Sequence, residues 1–179
     1  MGRCKALLRV DGVPLIARHV QALRAVGLPV VVVTRPDADG VAVAEAARGA
    51  TVVVHPSPDT TDMYGSLWAA LSVVPRHHDL LVTPVDVPPA SEALLRALMR
   101  WDGDRCGVVP HGNDGDGHPV RVRRAALTEA PAEGLRTVLR GAERMAWPAA
   151  VAVDFDDPAA WRRFLDSLRG TTRREEESG

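Results

Sequence analysis

Two rhythms of apolar and polar residues run along this chain, and the switches between them predict most of its elements. Leu15, Ile16, Val20, Leu23 and Val26 recur at helical spacing between Pro14, suited to a first helical turn, and Gly27, placed to end it. Residues 29–34 form a short continuous apolar run that predicts a buried strand, and 51–54 predict the next strand. An Ala/Val-rich stretch at 39–48, closed by Gly49, predicts a short helix between them. Residues 55–62 hold two prolines, two aspartates and two threonines and predict a loop. A helix at 65–74 carries Leu67, Trp68 and Leu71 on one face. Residues 80–85 are a β-forming run that predicts a strand buried on both faces, as in a parallel sheet; it ends on Asp86 and is stopped by Pro88 and Pro89.

The second half continues the alternation. A helix over 91–101 turns Leu94, Leu95, Leu98 and Met99 inward, a strand covers 105–109, and 111–117 is a polar turn. Residues 119–122 return as a strand, antiparallel because the link is of hairpin length. Helices follow around 124–129 and 134–140, then a strand at 150–153. A last helix over 158–168 sets Trp161, Phe164, Leu165 and Leu168 at i, i+3, i+4 and i+7. Residues 170–179 contain no apolar side chain and predict a disordered tail. The sum is one α/β domain over 1–169: three layers, Rossmann-like, a mostly parallel sheet with helices on both faces and one antiparallel hairpin.

Composition changes this picture little. With 179 residues and a net charge of −1, the chain offers no basic field for nucleic acid or an anionic membrane surface. No apolar run approaches the roughly 20 residues that span a bilayer. Cys4 and Cys106 match no metal or disulfide spacing, which fits free thiols in a reducing cytoplasm. One detail matters more. Lys5 is the single lysine among 22 basic residues, a compact ammonium in a chain that otherwise uses the planar guanidinium.

Candidate chemistry gathers where strands end. Open α/β sheets bind ligands beyond the carboxyl ends of their strands, where Asp86 falls, although a lone Asp there also serves as a turn or cap residue. Asp154 and Asp156 end the 150–153 strand, and two such ends can converge on one hard cation of the Mg²⁺ kind. Asp157, followed by Pro158, has the pattern of a helix N-cap. Gly65 and Ser66 open a helix, where backbone N–H groups either cap the chain or hold a phosphate or base. Gly117, His118 and Pro119 place an imidazole in a turn, exposed or beside a substrate. His77-His78 reads as solvated surface, and the acidic turn at 114–116 lacks the calcium-loop spacing.

Taken in order, several blocks resemble the MobA/MocA-like NTP transferases, the nucleotidyltransferases of molybdenum-cofactor maturation. M-G-R-C-K-A-L-L at the start, D-G-V-P-L at 11–15, M-Y-G-S-L-W-A-A-L at 63–71, L-V-T-P-V-D-V-P at 81–88, G-H-P-V at 117–120, G-L-R at 134–136 and D-F-D-D-P at 154–158 match its motifs. The resemblance implies a nucleotide-diphospho-sugar transferase type of sheet and transfer of GMP or CMP from GTP or CTP to molybdopterin, releasing pyrophosphate. It implies Mg²⁺ on Asp86 with Asp154 or Asp156, Lys5 on the phosphates, Gly65 and Ser66 near the base, and Gly117, His118 and Pro119 near the acceptor. A molybdoenzyme is the implied protein partner.

The resemblance also has a gap. In the family the first block follows a central strand and a glycine-rich, phosphate-cradling loop; here Met1 stands at that block. Two expectations follow: an internal start with a short upstream segment, or a paralogue without catalysis. Either predicts unpaired strand edges within the sheet and weak triphosphate binding by these 179 residues. Asp62 stands where the family has glycine, and a carboxylate there repels a nucleotide unless it turns away or meets a metal.

Overall fold

The computed structural model describes residues 4–55, 63–127 and 134–176. A 3-10 turn, Lys5–Leu7, leads into a hairpin of β1 (Arg9–Val10) and β2 (Val13–Pro14). Its two central residues, Asp11 and Gly12, both have positive φ, the geometry a two-residue hairpin demands. Helix α1 (Leu15–Ala25) buries Leu15, Ile16, His19 and Val20. β3 (Val31–Thr34) and β4 (Thr51–Val54) then pair in parallel through α2 (Ala38–Ala46), whose N-terminus Asp37 caps by accepting the Gly40 N–H.

The larger sheet has five strands. They are β5 (Leu80–Val82), β6 (Gly107–Gly112), β7 (Gly115–Asp116), β8 (Val120–Val122) and β9 (Glu143–Ala146). β8 lies between β5 and β6 and is antiparallel to both. β7 continues along the same edge of β6, and β9 takes the other edge in parallel. Helices α3 (Met63–Ala70) and α5 (Leu135–Leu139) cover one face: Tyr64, Leu67 and Leu135 pack with Val109, Val120 and Val122. Helix α4 (Glu92–Arg100), capped by Ser91, covers the other, with Leu94 and Leu98 on Val108. Val108 and Val109 thus face opposite helices, as the two-residue period of a strand requires.

Among the described residues β3 pairs with β4 and β5 with β8, and no ladder joins the two sheets. Helices bridge the break. α1 sets Ile16 and Val20 on Val30 and Val32, while its His19 bonds the Val87 carbonyl beyond β5. Val85 also packs on that first cluster. Leu80, Leu81 and Val82, expected to be buried on two faces, are each only half-buried; among the described residues β5 has a neighbour on one side alone.

The α/β class and the antiparallel return of β8 agree with expectation; several boundaries do not. Residues 150–153 form no strand: the N–H groups of Val151 and Ala152 bond the Asp114 carboxylate, and the Val151 carbonyl accepts the isolated His118 N–H, instead of a ladder. β9 was not predicted, since Glu143 and Arg144 break any apolar alternation. The polar turn is shorter, as β6 runs to Gly112 and β7 follows. A 3-10 turn, Arg124–Ala126, replaces the start of the helix expected at 124–129, and 128–133 lie outside the described residues, as do 56–62 with Asp62. Helix α6 (Pro158–Glu176) continues past 168 into the expected tail; 177–179 lie outside the described residues. Trp68 and Met99, expected inward, are exposed.

Candidate active site

The site is assembled by an irregular segment, 150–156. Asp114, at the β6–β7 turn, accepts the N–H groups of Val151 (2.8 Å) and Ala152 (2.9 Å) with its two carboxylate oxygens. Gly117 lies flat on this segment: a Cβ there would stand 2.0 Å from the Val151 carbonyl oxygen, so any side chain would push the two apart. His118 N–H donates to that same carbonyl. Farther on, Phe155 N–H donates to the Asp86 carbonyl at 2.7 Å, and its ring, fully buried, packs against Trp161 and Phe164 of α6. The aromatic anchor thereby carries Asp156 to the turn that bears Asp86.

At this junction Lys5 stands between two carboxylates. Its Nζ donates to Asp156 Oδ1 at 2.7 Å and to Asp86 Oδ2 at 3.0 Å. The Asp156 bond, and after it those to Asp86, hold the ammonium's pKa above its ordinary value, against a desolvation that pulls it down. Asp156 is 73% exposed, so the pair adds little to stability and the arrangement is better read as a site than as a strut. Asp154 turns elsewhere: its Oδ1 accepts the Asp156 N–H at 3.3 Å. Asp157 caps α6 through the N–H groups of Ala159 and Ala160, the role its position before proline predicts.

His19 supports the same turn from beneath. Buried on α1, its Nε2 lies 3.1 Å from the Val87 carbonyl, next to Asp86. Burial pushes its pKa down, so the ring is neutral at pH 7. Nothing in the chemistry-bearing motifs marked His19; the available signal was a polar residue in the apolar stripe of Leu15, Ile16, Val20 and Leu23. Asp114 and Phe155 were likewise missed as organisers of the site.

The remaining expected residues flank this centre. His118 has its pKa lowered by burial, opposed by a hydrogen bond to the Val82 backbone and by the charge of Asp86. Its Nδ1 is buried with no hydrogen-bond partner among the described residues. Pro119 is buried behind it. Gly65 and Ser66 lie within the first turn of α3, which begins two residues earlier than expected. Ser66 lines a cavity of about 180 Å³ with Val33, Thr34, Arg35 and His55, beyond the carboxyl ends of β3 and β4. That volume suits part of a ligand rather than a whole one.

The donor set fits a hard divalent cation. Asp86 and Asp156 present carboxylate oxygens around one point already chosen by a positive charge. Among the described residues no group of three or more His, Cys, Asp or Glu is placed to hold a metal ion. Two carboxylates with the remaining positions left to phosphates and water are what Mg²⁺ takes, unlike the closed protein cage of structural zinc. No helix among the described residues is long and apolar enough to cross a membrane.

Known proteins resemble this chain in sequence and in fold. A family model described as the MobA-like NTP transferase domain matches residues 1–145. A protein of Rubrobacter xylanophilus, described as a bifunctional IPC transferase and DIPP synthase, is 36% identical over 140 residues, 76% of this chain. The match covers 30% of that relative, so the chain spans under a third of its length. Rv0371c of Mycobacterium tuberculosis in complex with manganese superposes with a TM-score of 0.74 and 25% identity, over 91% of each chain. Molybdopterin-guanine dinucleotide biosynthesis protein A of Archaeoglobus fulgidus superposes with a TM-score of 0.63 over 94% of this chain and 92% of its own. At 14% identity that last likeness is one of fold.

Proposed function

Because the chain belongs to the MobA-like NTP transferase family, we propose that it transfers a nucleoside monophosphate from CTP or GTP to a small phosphorylated acceptor and releases pyrophosphate, with molybdopterin as the first candidate acceptor. The observation that carries this reading is the convergence of Lys5, Asp86 and Asp156 from three distant parts of the chain. In this reading an acceptor phosphate oxygen attacks the α-phosphorus in line, and the bond to the pyrophosphate oxygen breaks. Lys5 offsets charge on the phosphate oxygens, and Asp86 and Asp156 hold Mg²⁺. The ion supplies Lewis-acid stabilisation of the same oxygens. The acceptor phosphate is itself the nucleophile, so no protein base is required. Ser66 and the cavity beside it receive the base, while the loop of Gly117, His118 and Pro119 lies on the acceptor side. Catalysis is then positioning and electrostatics.

A second acceptor reading has its own support. The Rubrobacter relative, 36% identical, is described as an IPC transferase, and the molybdopterin-linked neighbour shares 14% identity. Another small phosphorylated metabolite in place of molybdopterin is therefore a specific alternative. The test is pyrophosphate release by the full-length protein from CTP or GTP with Mg²⁺, across molybdopterin and a panel of sugar and polyol phosphates. Turnover confined to one acceptor class decides between the two. No turnover and no metal-dependent nucleotide binding, with co-purification of a molybdoenzyme, would replace both by a non-catalytic accessory role.

A further inference from the structure

The Lys5 ammonium stands where a divalent ion would stand. It bonds one oxygen of Asp86 and one of Asp156, at 3.0 and 2.7 Å, so the two oxygens lie within twice a hydrogen-bond length of each other. Two carboxylates this close repel unless a cation lies between them. A metal ion on both oxygens would also sit within a few ångströms of the ammonium, and the two positive charges cannot share that position. The Lys5 backbone is held: its carbonyl accepts the Leu8 N–H, and the adjoining Ala6 is buried in the core cluster with Val30 and Val32. Its side chain is four flexible carbons long and ends in three N–H donors, of which two find partners among the described residues.

We propose that Lys5 is the built-in counter-cation of the Asp86–Asp156 pair, displaced by the divalent metal and transferred to phosphate when metal and triphosphate enter together. The inference rests on the reading of Asp86 and Asp156 as metal ligands. Metal arriving alone must expel the ammonium into water, and so binds weakly. Metal arriving with a triphosphate gives the ammonium new oxygen partners as it leaves the carboxylates. Metal and triphosphate therefore reinforce one another, by the reciprocity of any coupling between sites. The same exchange keeps the carboxylate pair paired in the empty protein and places Lys5 on the phosphates only when the substrate is present.

Lys5 is the chain's single lysine, which makes the exchange directly visible. In the full chain labelled with ¹³C,¹⁵N-lysine, one side-chain signal reports this ammonium alone. Titration with Mg²⁺ is expected to shift and narrow the Lys5 ¹³Cε signal as the side chain is released. Adding tripolyphosphate should shift it again and tighten Mg²⁺ binding. Calorimetry should give Lys5→Met a Mg²⁺ dissociation constant at least about tenfold lower than that of the unmutated protein, within the usual range for coupled sites. Lys5→Arg, whose fork grips both carboxylates, should bind Mg²⁺ more weakly than either. Mg²⁺ binding that leaves the lysine signal unmoved, with unchanged affinity in Lys5→Met, would overturn the exchange while leaving the metal site standing. Absence of Mg²⁺ binding in both proteins would overturn the metal reading itself.

Discussion

At the scale of single residues the turn bearing Asp86 is held to the 150–156 segment through its backbone, while its carboxylate meets the Lys5 ammonium. Phe155 N–H bonds the Asp86 carbonyl, not its carboxylate. Asp86→Asn should therefore melt within a few degrees of the unmutated protein, whereas Phe155→Ala should lose about 3–5 kcal/mol in urea denaturation, as buried aromatic truncations do. The buried imidazoles make a separate prediction. Burial lowers the pKa of His19 and of His118 below the ordinary value of 6.5. The unfolded chain then binds more protons than the folded one as pH falls through that value, so their contribution is full above about pH 6.5 and is lost below it. The urea midpoint should be higher at pH 7.5 than at 5.5. His19→Gln, which keeps an N–H for the Val87 carbonyl, should flatten that difference; an unchanged slope would show that this imidazole is not its source.

At the scale of elements, an irregular segment does what a strand was expected to do. Residues 150–153 carry the apolar composition of a strand, but Asp114 takes two of their N–H groups and Gly117 admits their backbone at close range. No local pattern announces a carboxylate 37 residues away as the partner. β9 was hidden for the opposite reason: its Arg144 is spent on an ion pair with Asp116, so the strand carries a polar sequence. Motif spacing made Lys5 and Asp86 legible, and it left Asp154 and Asp156 equivalent. Only the geometry separates them, through the bond that turns Asp154 toward the Asp156 N–H. Gly117→Ala tests the packing. With its Cβ against the Val151 carbonyl it should cost about 1–3 kcal/mol by urea denaturation, the scale of overpacking. A midpoint equal to that of the unmutated protein would mean that loop and segment are not in contact.

For the whole molecule the chief feature is the break between the two sheets, and the direction of the backbone groups makes it measurable. Thr51 and His55 donate to the carbonyls of Val30 and Thr34, so Val30, Val32 and Thr34 face β4 while Val31 and Val33 face away. Arg123 donates to Cys106, which turns Val120 and Val122 toward Leu80 and Val82 and leaves Leu81 facing away from β8. Among the described residues nothing bonds these outward groups. Amide exchange should be faster at Val31, Val33 and Leu81 than at Val32 and Val82; equal protection would show that the two edges are closed by a further partner. Helices α1 and α3 still hold both sheets as one body, which is why Lys5, before the first sheet, can meet Asp86 beyond the second and Asp156 near the end of the chain. That meeting is the core of the functional account. Its most direct test is Mg²⁺-dependent pyrophosphate release by the full-length protein and three single variants. Asp86→Asn and Asp156→Asn should each fall by roughly 10²–10³-fold, the scale of losing one preorganised electrostatic group, with Asp154→Asn near the unmutated rate. Loss in Asp154→Asn with activity retained in Asp156→Asn, or full activity in Asp86→Asn, would contradict it.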